Sequence, residues 1–77
     1  MTTLAHAKML FENGAIRGAT VSPAPMESGW ILQVSLASGR DVVLEKARGG
    51  MRVYRKADAA IAAAKEIGIR SLSVKIE

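Results

Sequence analysis

The stretch WILQVSLASGRDVVLE, residues 30–45, decides the fold. Trp30, Leu32, Val34 and Leu36 alternate with Ile31, Gln33, Ser35 and Ala37, the period of two that puts alternate side chains on opposite faces of a strand. Residues 40–46 repeat the pattern, and Ser38-Gly39 between the two runs reads as the turn of a hairpin. A two-residue loop would set Leu36 against Asp41 and Leu32 against Glu45, mixing the faces. A three-residue loop of Ser38, Gly39 and Arg40 sets Leu36 against Val42 and Val34 against Leu44, so the apolar pattern selects it.

Toward the C-terminus, Ala47-Arg48-Gly49-Gly50 makes the next turn and residues 51–55 read as the third strand of a meander. Pairing Leu44 with Val53 and Lys46 with Met51 keeps Val53 on the core face. The opposite face then carries the rows Ser35–Val43–Tyr54 and Gln33–Glu45–Arg52. Residues 57–67 are alanine-rich, with Ala60, Ile61, Ala64 and Ile67 in one stripe, Asp58 in the first turn and Gly68 just past the end; they predict a helix. Residues 69–77 predict a last strand, with Leu72, Val74 and Ile76 facing in and Ser71, Ser73 and Lys75 facing out.

Toward the N-terminus, the two prolines make residues 22–29 a loop, because each lacks an amide donor and restricts the residue before it. Residues 15–22 read as a short strand weakened by Gly18. Residues 2–13 read as a helix: Leu4, Ala7, Leu10 and Phe11 share a face, Thr2 or Thr3 is the N-cap, and Asn13-Gly14 closes it. The order is α-β-β-β-β-α-β. The fold class is α+β, one domain across residues 1–77, with an antiparallel sheet and two helices on one face.

Composition narrows the function. Of the 77 residues 49% are hydrophobic, but thirteen of those are alanines, leaving a thin core that self-association would help. With no cysteine, disulfide scaffolds, thiolate zinc modules and thiol redox chemistry are excluded. The longest apolar run, residues 59–64, is far short of the ~20 residues of a membrane span, and the N-terminus lacks the pattern of a signal peptide, so a cytoplasmic protein without a membrane partner is expected.

Catalysis is not expected. The lone His6 reads as a solvated helix residue, Asp41 and Asp58 have structural places, and the glutamates show no grouping. Neither the phosphate-loop lysine motif nor the dinucleotide glycine motif occurs, and no cofactor, metal or small-molecule substrate is indicated.

Charge is localised. Lys46, Arg48, Arg52, Arg55 and Lys56 lie within residues 46–56 with no acid among them, whereas the rest of the chain is nearly balanced within a net charge of +4. A glycine-bearing basic turn can approach phosphates closely, which makes these five candidate DNA or RNA contacts. The plainer reading is a solvated patch, with Arg52 facing Glu45 as a surface pair and Arg55 and Lys56 guarding a sheet edge. Residues 48–55, RGGMRVYR, begin like the RNA-recognition strand signature, but Gly50, Arg52 and Arg55 stand where base-stacking aromatics would. The αβββα portion has the order of double-stranded-RNA-binding domains, with Lys56 and Lys65 the available helix lysines. Trp30 reads as core or core edge. Ile31, Val43 and Tyr54 form a candidate apolar patch on the open sheet face, suited to a homodimer or another protein.

Residues 53–74, VYRKADAAIAAAKEIGIRSLSV, resemble the C-terminal part of small plasmid-encoded accessory proteins of the partition-associated (ParC-type) and KfrB-type kinds. Tyr54-Arg55, Asp58-Ala59-Ala60 and Gly68-Ile69 carry the likeness, with Glu12-Asn13-Gly14-Ala15 and Gly29-Trp30 earlier in the chain. The resemblance implies a bacterial mobile element and a non-enzymatic accessory role, and transfers no site residues. The expected function is therefore a plasmid-maintenance accessory protein, dimeric and acting as a protein-interaction module. Nucleic-acid binding through residues 46–56 is the alternative, and inhibition of a host defence complex a third.

Overall fold

The computed structural model describes residues 1–76. The chain forms β1 (Thr2–Thr3), α1 (Leu4–Glu12), β2 (Ile16–Pro23), β3 (Trp30–Leu36), β4 (Asp41–Glu45), α2 (Ala57–Ile67) and β5 (Ser73–Val74). The five strands make one sheet in the order β1-β4-β3-β2-β5. Strands β2, β3 and β4 are antiparallel neighbours, as the alternating patterns predict, but β1 runs parallel to β4 and β5 parallel to β2. The sheet is therefore mixed, which corrects the antiparallel expectation. The cause is topological: each edge strand adjoins a helix that carries the chain back along the sheet, and a strand on the far side of such a return points the same way as one before it. Thr2–Thr3 shows no strand periodicity because two residues cannot display one.

Both helices contribute to a single core. Ala7 of α1 and Ala60, Ala63, Ala64 and Ile67 of α2 meet Ala19, Val21, Leu32 and Leu44 of the sheet, all buried. Alanine is what lets α2 lie close to the sheet, since its side chain adds little thickness between backbones. Thr3 is the α1 N-cap, its Oγ1 accepting from the His6 amide at 3.2 Å, while Thr2 Oγ1 lies 3.0 Å from His6 Nδ1. At the other end of α2, Gly68 adopts φ +117° and its amide donates to the Ala64 and Lys65 carbonyls. The last strand is shorter than its alternating pattern predicts. Beyond Leu72 the inward row leaves the helical cover, so Val74 is exposed and Ile76 is 83% exposed; the expectation for Glu77 lies outside the described residues.

Both hairpin registers differ from expectation, and for one reason. In the first, Val34 lies opposite Val42 and the Leu36 amide donates to the Arg40 carbonyl at 2.7 Å, so the loop is Ala37-Ser38-Gly39. Three-residue hairpin loops commonly end on a residue in the left-handed region, and Gly39 at φ +97° occupies that last place. The expected loop had the glycine in the middle. The shift preserves faces because it moves the pairing by two residues. In the second hairpin the Lys46 amide donates to the Gly50 carbonyl at 2.9 Å and Met51 lies opposite Glu45, giving the loop Ala47-Arg48-Gly49 with Gly49 at φ +90°. Here the pairing moves by one residue, and a one-residue slip exchanges the faces.

Residues 51–55 are also not a third meander strand. Met51 bridges β4, whereas Tyr54 bridges β3, exchanging both backbone hydrogen bonds with Trp30 at 2.8 Å. Both bridges are antiparallel although β3 and β4 themselves run in opposite directions, so the chain doubles back around Val53. Gly29 makes room for this bend: a Cβ there would stand 2.5 Å from Val53 Cγ1 and 2.7 Å from the Tyr54 carbonyl oxygen.

Candidate nucleic-acid interface

Five basic side chains are gathered where β4 ends and α2 begins. Lys46 follows the last β4 residue, Arg48 sits in the three-residue loop, Arg52 follows the β4 bridge, and Arg55 and Lys56 lead into α2. All five are exposed. Among the described residues the one ion pair is Lys8 Nζ to Glu66 Oε2, 3.0 Å, between the two helices, so no described carboxylate neutralises any of the five. Arg52 does not face Glu45, as expected from the sequence, because the register slip puts Met51 there. Its guanidinium instead lies over the Tyr54 ring, 5.2 Å from the centroid. Tyr54 is half-buried, and burial pushes its phenol above the usual value; Arg52 pulls it down and Glu66 pushes it up to lesser degrees.

Two backbone features accompany the cluster. Gly49 and Gly50 both have positive φ and carry no side chain, which leaves the turn tip low beside Arg48. Helix α2 has Lys56 as N-cap with no side-chain hydrogen bond; in its first turn the Ala59 amide donates to the Lys56 carbonyl at 3.1 Å and Asp58 adds a negative charge.

The apolar trio does not come together. Ile31 is only 5% exposed. Val43 lies opposite Gln33 on the face away from the helices, whereas Tyr54 packs against the helix-side core beside Trp30. The side Tyr54 takes is set by its bridge to Trp30, whose side chain also packs against that core. The open face is instead rich in hydroxyls: Thr20 and Ser22 of β2 lie opposite Gln33 and Ile31, and Ser73 lies beside Thr20. Among the described residues no three His, Asp or Glu side chains gather as a metal site would need.

A second basic group escaped the sequence reading. Arg17 at the start of β2 and Arg70 after α2 line one opening, and Arg70 and Lys65 line the next. Arg17 is far in the chain from Lys65 and Arg70, so no charge run signals the group. The available signal was Gly18 inside a strand pattern. No helix of the described residues is long and apolar enough to cross a membrane. Compared with protein-family models, curated proteins and solved structures, the chain matches none.

Proposed function

We propose that this chain is a non-enzymatic nucleic-acid-binding module whose contact surface is the segment from Lys46 to Lys56. The observation that supports the reading is the exposure of five cations on that segment with no described carboxylate within ion-pair distance. Exposed, unneutralised charges on a polyanion gain by releasing its condensed counterions, a contribution that needs no base contact. Arginine predominates in the group, and its fork suits two oxygens of one phosphate. The side-chain-free tip at Gly49-Gly50 gives the phosphate backbone a place of close approach. A protein-docking role through Ile31, Val43 and Tyr54 has less support, since Ile31 is buried and Tyr54 packs on the opposite side of the sheet from Val43. The resemblance of residues 53–74 to plasmid accessory proteins gives the setting: an auxiliary protein of a mobile element, contacting nucleic acid.

The reading is tested by fluorescence anisotropy with a short labelled duplex at low salt. Arg48→Ala and Arg55→Ala each weaken binding, and Arg40→Ala, in the other hairpin, leaves it unchanged. Equal affinities for all four proteins, or no binding by the unaltered chain, would overturn it.

A further inference from the structure

The end of the sheet opposite Lys46 carries a groove that the proposed interface does not use. It lies where β2 and the chain leading into β5 separate, because their parallel pairing begins only at Thr20–Ser73. The groove is about 280 Å³ and lined by Arg17, Gly18, Thr20, Ser35, Ser71 and Ser73 among others. A smaller opening of about 120 Å³ adjoins it, sharing Arg17, Gly18 and Ser71 and adding Arg70. No acidic side chain lines either one, and neither arginine has a described carboxylate within 4.0 Å.

Two local features aim this groove at a ligand. The β2–β3 ladder is irregular between Ile16 and Gly18, so Arg17 is the extra residue of a bulge, a device that redirects a side chain out of the strand's alternation. Gly18 is the one glycine of the seven whose backbone does not require glycine, since the other six have positive φ. A Cβ at Gly18 would meet nothing within 4 Å, so packing does not require glycine either. Glycine inside a strand costs stability relative to a side-chain-bearing residue. Its effect here is to leave open space at a position that lines both openings, next in the chain to Arg17.

We propose that this groove binds a small molecule carrying a phosphate monoester. Two guanidinium groups match the near-dianionic charge of such a group at neutral pH, and their forks suit its oxygens. Thr20, Ser35, Ser71 and Ser73 also line the groove and carry hydroxyls that can serve as further donors.

The test is a titration of the full chain with inorganic phosphate, with adenosine 5′-monophosphate and with adenosine, followed by amide chemical shifts. The expected result is saturable shifts at residues 17–20 and 70–73 with the two phosphates and none with adenosine. Arg17→Gln weakens binding about tenfold or more, as loss of a charge-assisted hydrogen bond does. Gly18→Leu fills the groove and abolishes binding while thermal stability is kept or raised, which separates blocked binding from a damaged fold. Duplex binding through Lys46–Lys56 is unaffected by either variant, so failure here is distinguishable from failure of that reading. Absence of saturable shifts, equal shifts with adenosine, or unchanged binding by Gly18→Leu would overturn the proposal.

Discussion

Gly29 and Tyr54 fix the bend between the sheet and α2, and each can be probed alone. Gly29 has φ +124° and faces the Tyr54 carbonyl, a backbone atom that cannot turn aside. Gly29→Ala combines backbone strain with overpacking and is expected to cost about 2–4 kcal/mol. Gly14→Ala, at φ +74° with open space around it, is expected to cost only about 1 kcal/mol. Urea denaturation of the two variants measures the difference. Tyr54 is the only tyrosine, so its ionisation is directly visible in the ultraviolet. Its midpoint is expected above the ordinary value of about 10, and Arg52→Gln should raise it further by removing the neighbouring cation. The folded state thereby favours the neutral phenol. Its contribution to stability is intact below the unfolded-chain value and is lost as pH rises from there through the folded one.

At the level of elements, the two hairpins show what period and turn chemistry each contribute. Alternation placed β3 and β4 within a residue or two of their observed bounds, and the alanine stripe located α2. Register came out differently because it depends on where the left-handed residue falls. Gly39 and Gly49 each close a three-residue loop, Ala-Ser-Gly and Ala-Arg-Gly, and the similarity of the two was legible once that rule was applied. The first shift left the faces intact; after the second, the chain doubles back and Tyr54 pairs with Trp30, which takes it from the open face to the core and out of the expected apolar patch. Short edge pairings such as Thr2–Thr3 depend on tertiary placement and carry no periodic signal. The N-cap of α2 provides a test at this scale, since Lys56 makes no side-chain hydrogen bond there. Lys56→Ser should stabilise the protein by about 0.5–1 kcal/mol through capping. The same change should weaken nucleic-acid binding by removing a cation, so stability and affinity move in opposite directions. A substitution that raised both would argue against Lys56 as a phosphate contact.

Across the whole molecule, charge falls at two ends of one small sheet. The cluster from Lys46 to Lys56 is contiguous in sequence and was legible there. The pair of Arg17 and Arg70 was not, because a fold is needed to bring residues so distant in the chain to the smaller opening beside the groove. The core between the two ends is thin and alanine-rich, and the basic residues of the first cluster stand on a three-residue turn, two single bridges and a helix start.

The central claim, that residues 46–56 meet phosphates, is tested most directly by the salt dependence of duplex affinity. With three to five phosphate contacts, the logarithm of the binding constant should fall against the logarithm of salt concentration with a slope of about −2.7 to −4.5, and Arg48→Ala should reduce the size of that slope by about one. A slope near zero, or one that Arg48→Ala leaves unchanged, would contradict the account.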